Sequence, residues 1–94
     1  MFTVLAAGRI AHDGLERDDI TVVPHPLACY GLAPPPSEIA LCDMLLVDPD
    51  SMKYLRREHW AAITEHSVIV GTVVSRIPRR RKESALALID RHIY

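Results

Sequence analysis

The chain contains no asparagine and no glutamine, and nine of its eleven basic residues are arginine. Thermal adaptation or a GC-rich genome would explain the missing amides, and neither indicates a function. Aromatic residues make up only 5% of the 94 residues, so the hydrophobic core must be aliphatic. The longest apolar run, Ile39–Val47, is interrupted by Asp43 and falls short of the ~20 residues of a membrane span. We therefore expect no membrane contact.

The chain also lacks the pattern of an export signal. Met1–Ile10 carries no basic start ahead of an apolar stretch, and no small-residue cleavage site follows it. We therefore expect a cytoplasmic protein, in which Cys29 and Cys42 stay reduced. With 49% hydrophobic and 24% charged residues, residues 1–94 are predicted to form one compact domain.

The N-terminal part has the pattern of a β-hairpin. Thr3–Ile10 and Glu16–Val23 flank His12-Asp13-Gly14-Leu15, and Asp-Gly between two such runs favours a two-residue turn. That turn would place Ile10 opposite Arg17 and Arg9 opposite Asp18. The sequence therefore predicts an antiparallel pair at the start of the chain.

Five of the seven prolines follow, between Pro24 and Pro36, and they predict an extended segment that is either a stiff connector or a recognition loop. Ile39–Val47 is the expected central strand. Asp48 as N-cap and Pro49 at the first helical position predict a helix to about residue 65. Its inward stripe would be Met52, Leu55, His59, Ala62 and Ile63.

Two further elements complete the predicted fold. Ser67–Ile77 is rich in β-branched residues and predicts a strand that Pro78 ends. Arg79–Ile93 is typical of a terminal helix with Leu86, Ile89 and Ile93 turned inward. The predicted fold class is α+β or α/β, a small mixed sheet of about four strands with two helices on one face, in the order β-β-β-α-β-α.

Charged residues are divided between the two halves of the chain. Residues 1–50 hold eight acidic and two basic residues, whereas residues 51–94 hold four acidic and nine basic residues. The basic side is concentrated in one cluster around the start of the last helix, where positive charge opposes the helix dipole. Helix stability does not explain that cluster, so we interpret it as a solvated junction or an anion-binding surface. Its members are Arg76, Arg79, Arg80, Arg81 and Lys82.

The acidic side is concentrated near the predicted hairpin and around the central strand. We take Asp13, Glu16, Asp18 and Asp19 as a candidate binding face; Asp43, Asp48 and Asp50 are the other members. Such a face can occupy a basic groove on another protein, can meet the basic cluster of a second copy in a homodimer, or can be an ordinary solubilising surface.

An enzyme would have Asp48 or Cys29 at its centre. The run from Asp43 to Asp48, with the later Ser67–Thr72, resembles the phosphoacceptor and switch strands of bacterial receiver domains, which implies phosphorylation of Asp48. That family's early acidic pair and late lysine have no counterpart here, and helix capping is the other interpretation. Cys29 could be a nucleophile with His25 or His59 as its base.

The sequence does not supply the partner residues that Asp48 or Cys29 would need for catalysis, and its His and Cys residues do not have the spacing of a zinc site. We therefore expect no catalytic residue, metal or cofactor. The favoured hypothesis is a non-enzymatic inhibitor, adaptor or regulator of the kind that mobile genetic elements encode, which binds a protein partner through its segregated charges. The alternatives are a nucleic-acid-binding module that uses Arg76–Lys82 and the small enzyme described above.

Overall fold

The computed structural model describes residues 1–7, 17–24, 33–73 and 77–93. Four strands form one sheet in the order β2-β1-β3-β4, and every pairing is parallel. The predicted class, an α/β fold with four strands, is confirmed, and the order of elements agrees broadly with the prediction. The elements are β1 Phe2–Ala6, β2 Ile20–Pro24, α1 Pro36–Ile39, β3 Met44–Val47, α2 Pro49–Met52, α3 Arg57–Glu65, β4 Ile69–Thr72 and α4 Pro78–Ile93.

The predicted hairpin is wrong, because β1 and β2 run parallel with Phe2 opposite Ile20 and Ala6 opposite Pro24. Antiparallel pairing of Arg9 with Asp18 is incompatible with that register, and the Asp13-Gly14 turn lies outside the described residues. The physical reason is burial on both faces: three consecutive residues at the end of β1 are buried, as in parallel sheets covered on both sides. The thirteen residues between the strands suffice for a parallel crossover.

Helices cover both faces of the sheet, which corrects the expectation that they share one face. α4 packs through Ala85 and Ile89 on one apolar cluster, whereas Ile39 of α1 and Ile63 of α3 belong to a second. Strand β3 shows why two layers are needed, since all four of its residues are buried. Met44 and Leu46 enter the first cluster, and Leu45 and Val47 enter the second.

The central segment is more divided than predicted. Ile39 ends α1, and the strand expected over Ile39–Val47 begins only at Met44. The helix expected from Pro49 breaks after one turn at Met52, and a second helix begins after Arg56, whose backbone is extended at φ −93° and ψ −179°. The predicted inward stripe is nevertheless confirmed, with Met52 packed at its margin and four members buried: Leu55, His59, Ala62 and Ile63.

The last two elements follow the prediction closely. β4 occupies part of the expected Ser67–Ile77 strand, and α4 covers the expected helix with its inward face correctly assigned. Ser67 lies between α3 and β4 at φ 53°, a left-handed conformation. Residues 25–32 of the proline segment lie outside the described residues; at its end Pro34 is fully buried and Pro36 begins α1.

Candidate functional site

A parallel sheet has an edge where all strands begin and an edge where all strands end. We call these the amino edge and the carboxyl edge. α4 starts five residues after Val73, which follows the carboxyl end of β4. Near its other end, Asp90 forms an ion pair with Arg17, which precedes β2. The helix therefore runs back across the sheet and carries its N-terminal turn at the carboxyl edge.

The carboxyl edge collects most of the positive charge. Of the nine described Lys and Arg residues, seven lie at the carboxyl edge, on segments that follow a strand or begin a helix. Four described acidic residues lie on the same segments. We call these seven the basic set. They are Lys53, Arg56, Arg57, Arg79, Arg80, Arg81 and Lys82.

The cluster predicted from sequence forms only part of this set. Arg79 and Arg80 are exposed and Lys82 is half-buried, whereas Arg76 lies outside the described residues. Arg79 Nε lies 3.7 Å from Glu83 Oε1, one helical turn away. Consecutive helical residues point about 100° apart, so the run 79–82 surrounds the helix and does not form one patch.

Sequence reasoning missed the other part of the set, which lies between α2 and the first turn of α3. Lys53 Nζ lies 5.3 Å from the ring centroid of Tyr54, a cation–π distance. Trp60 keeps 39% of its surface exposed and follows Arg56 and Arg57 by four and three residues, about one helical turn. The available signal was composition, since residues 53–60 hold three basic and two aromatic residues.

Most of the basic set has no carboxylate partner. In the part of the chain that the structure describes, Arg79 pairs with Glu83 and Arg81 is also engaged, whereas no ion pair is found for the other five members of the set. Four of these five charges are exposed and Lys82 is half-buried, so they cost little in water and remain available to an outside anion. These five are Lys53, Arg56, Arg57, Arg80 and Lys82.

The amino edge collects the negative charge. Six of the ten described acidic residues lie on segments that lead into a strand or end a helix, with Arg17 and Arg91 as the basic residues beside them. We call these six the acidic set: Asp18, Asp19, Glu38, Asp43, Glu65 and Asp90. Of the acidic face predicted from sequence, Asp18 and Asp19 belong here and are exposed, whereas Asp13 and Glu16 lie outside the described residues.

Several acidic residues are already used within the fold. Asp43 Oδ2 accepts a hydrogen bond from the Thr3 backbone N–H at 2.8 Å, and Asp43 N–H donates to the Thr3 carbonyl at 2.9 Å. Asp90 is paired with Arg17. Asp43 and Asp90 thus hold a strand start and a helix end in place, whereas Lys53, Arg57 and Arg80 of the basic set are exposed.

Two of the candidate catalytic groups, Asp48 and His59, have structural roles. Asp48 is buried, and its Oδ1 accepts the Ser51 N–H at 3.1 Å, which confirms its predicted capping role. His59 is a buried, hydrogen-bonded core residue, as expected, because its Nδ1 accepts the Arg56 N–H at 2.8 Å. Cys29 and His25 lie outside the described residues.

Cys42 is a free, buried thiol whose Sγ donates to the Ile39 carbonyl at 3.1 Å. Burial, with a smaller contribution from the Asp43 carboxylate, raises its pKa to about 11. A nucleophilic cysteine needs a lowered pKa, so this thiol is not activated.

Among the described residues, no group of three or more His, Cys, Asp and Glu side chains could hold a metal ion, and no helix has the length and apolar character to cross a bilayer. No family model matches the chain, and neither a curated protein nor a solved structure is significantly similar to it.

Proposed function

We propose that this protein is a small non-enzymatic interaction protein, of the inhibitor or adaptor type, whose basic set binds an acidic surface of a protein partner. The observation that carries the proposal is the separation of charge between the two edges of the sheet. Seven described basic residues lie at the carboxyl edge and six acidic residues at the amino edge.

The contacts of the two sets support binding through the basic set. Asp43 and Asp90 are engaged in contacts that stabilise the fold, whereas Arg57 and Arg80 are exposed and have no ion pair within the described part of the chain. Binding to carboxylates satisfies guanidinium groups in a bidentate geometry. Charge complementarity of this kind accelerates association and orients the partner.

The direct test is affinity capture with a variant that reverses three exposed charges at the carboxyl edge: Lys53→Glu, Arg57→Glu and Arg80→Glu. We expect the nuclease-treated extract to yield a saturable protein partner with the wild type and no capture with this variant. The matched control reverses charge at the amino edge, with Asp18→Lys and Glu65→Lys, and should retain binding. Equal capture by the wild type and the carboxyl-edge variant would contradict the proposal.

A second candidate function, nucleic-acid binding, is favoured by one observation. Tyr54 and Trp60 lie beside basic residues at the carboxyl edge, and aromatic rings next to cations provide stacking platforms for unpaired bases. This function predicts that the captured material disappears on nuclease treatment. It also predicts that the logarithm of affinity falls linearly with the logarithm of salt concentration. Replacing Trp60 with Ala would then weaken binding to single strands more than to duplex.

A further inference from the structure

β4 leaves one side of its backbone unpaired at the end of the sheet. The Ile69 N–H donates to the Asp43 carbonyl at 2.9 Å, and the Val73 N–H donates to the Val47 carbonyl at 3.1 Å. Because backbone groups alternate in direction along a strand, the N–H and C=O groups of Val70 and Thr72 point away from β3. Among the described strands, none pairs with this side.

This edge has none of the features that usually prevent strands from pairing between molecules. The four residues of β4 include no charged residue and no proline, and the parallel ladder to β3 has no bulge. The opposite edge strand, β2, ends in Pro24, which has no N–H to donate. The two outermost strands of the sheet are therefore not equivalent, and β4 is the one whose outer side can pair with another strand.

A groove follows the same edge on the α4 side. It has a volume of about 340 Å³ and is lined by Thr72 of β4 with four residues of α4: Ser84, Ala87, Leu88 and Arg91. Leu46 and Leu88 pack closely over Gly71, because a Cβ built there would lie 3.2 Å from Leu46 Cδ1 and 3.6 Å from Leu88 Cδ1. Leu88 thus lies above the middle of the unpaired strand.

We propose that β4 pairs with β4 of a second copy of this chain, in an antiparallel arrangement about a two-fold axis that passes beside Gly71. Val70 of one copy would then exchange both of its backbone hydrogen bonds with Thr72 of the other. The two sheets join into one continuous sheet, and the interface is isologous, as closed homodimers require.

Charge complementarity on α4 identifies the second copy as the occupant. Because Leu88 lies over Gly71 and its side chain leans towards the N-terminus of α4, an axis beside Gly71 would pass near Ala87, which also lines the groove. In two antiparallel α4 helices related by that axis, Arg91 of one copy lies opposite Glu83 of the other, because the two residues are equally distant from Ala87 in sequence. Glu83 is exposed and makes only a long, exposed contact of 3.7 Å with Arg79, so its carboxylate can also reach Arg91 of the second copy, which lines the groove. Each dimer therefore gains this opposite-charge pair twice.

Sedimentation of the purified protein from about 1 µM to about 1 mM tests the proposal. The wild type should form a species of twice the 10.5 kDa chain mass. Thr72→Pro removes an outward N–H that makes no bond within the chain, so this variant should keep the native circular dichroism spectrum and sediment as a monomer. Thr72→Val keeps the N–H and the shape of the side chain, and should sediment like the wild type.

The charges provide a second test that leaves the strand unchanged. Arg91→Glu should raise the dissociation constant of the dimer about tenfold, and adding Glu83→Arg should restore it, because the pair is reformed with reversed signs. This comparison decides the matter even where Thr72→Pro fails to fold.

A wild type that stays monomeric at the highest concentration would overturn the proposal, as would a dimer that both Thr72→Pro and Arg91→Glu leave intact. Capture of another protein by a monomeric wild type, lost in Thr72→Pro but kept in the carboxyl-edge variant, would overturn the proposal and assign the edge to a different partner. The basic set lies outside β4 and the groove, so loss of dimerisation is distinguishable from loss of the proposed partner binding.

Discussion

Cys42 is a residue whose chemistry is set by its position between α1 and β3. Its side chain is 8% exposed and its Sγ donates to a backbone carbonyl. Burial and the neighbouring Asp43 carboxylate raise the pKa of the thiol from the ordinary 9.0 to about 11. The fold therefore favours the protonated thiol, which packs with the core and needs no counter-ion.

This pKa predicts an alkaline loss of stability. The thiolate forms more readily in the unfolded chain, so the stabilisation is complete below pH 9.0 and is lost as the pH rises through about 11. The difference corresponds to about 2–3 kcal/mol of unfolding free energy. Urea unfolding of the wild type and of Cys42→Ala, at a series of pH values from neutral to alkaline, measures this loss of unfolding free energy. Parallel pH profiles for the two proteins would contradict the prediction.

Ser67 is strained by its backbone conformation at the end of α3. It has φ 53°, and the Val68 N–H bonds back to the Ile63 carbonyl at 2.9 Å, a helix-terminating arrangement in which glycine is preferred. We expect Ser67→Gly to raise the unfolding free energy by about 0.5–1 kcal/mol, because glycine adopts positive φ without steric cost. Ser67→Val should lower the unfolding free energy, and thermal denaturation of both variants measures the two effects. A stabilising effect of valine would refute the explanation.

At the scale of secondary-structure elements, Asp48 determines where α2 begins. Its Oδ1 accepts the Ser51 N–H, and Pro49 occupies the first helical position. Replacing Asp48 with Ala should lower the unfolding free energy by about 1 kcal/mol, because the helix start loses this acceptor. Asp50→Ala is the control: Asp50 is exposed and acts only on the helix dipole, so a few tenths of a kcal/mol are expected. Equal losses in urea unfolding would exclude a specific cap.

The helical signals were predictable from the sequence because they are local. A cap such as Asp48 and a proline at the first position act within one turn, and the stripe that includes His59 and Ile63 follows from helical spacing. The break at Arg56 was not predictable, since the buried face continues through it. The pairing of β1 with β2 was also predicted incorrectly, because an Asp-Gly step fixes a turn only where the strands it joins are neighbours in an antiparallel sheet.

At the scale of the whole molecule, α4 ties the strands together. Ile89 is fully buried in a cluster that includes Val4 of β1, Ile20 of β2 and Met44 of β3. We expect Ile89→Ala to lower the unfolding free energy by about 2–5 kcal/mol, because it leaves a cavity in this shared core. Leu41→Ala removes an aliphatic side chain that is 82% exposed, and should change stability by about 0.5 kcal/mol or less. Chemical denaturation of both variants measures the two losses of unfolding free energy. A larger loss for Leu41→Ala than for Ile89→Ala would contradict the prediction.

The candidate site also depended on the whole molecule. The basic run Arg79–Lys82 is visible in the sequence, but its association with Lys53 and Arg57 is not, because these residues belong to segments on opposite faces of the sheet. Only the parallel topology brings both segments to one edge. Likewise, Asp90 lies in the basic half of the chain and yet contacts Arg17 at the amino edge.

The sequence by itself determined an α/β fold of four strands, the position of the terminal helix, the cap at Asp48 and the inward faces of the helices. These follow from hydrophobic spacing and from contacts within a few residues. The tertiary structure decided the parallel register, the placement of helices on both faces, the division of charge between two edges and the unpaired side of β4. Those features arise because burial on both sides of the sheet, a property of the assembled chain, selects which strands become neighbours.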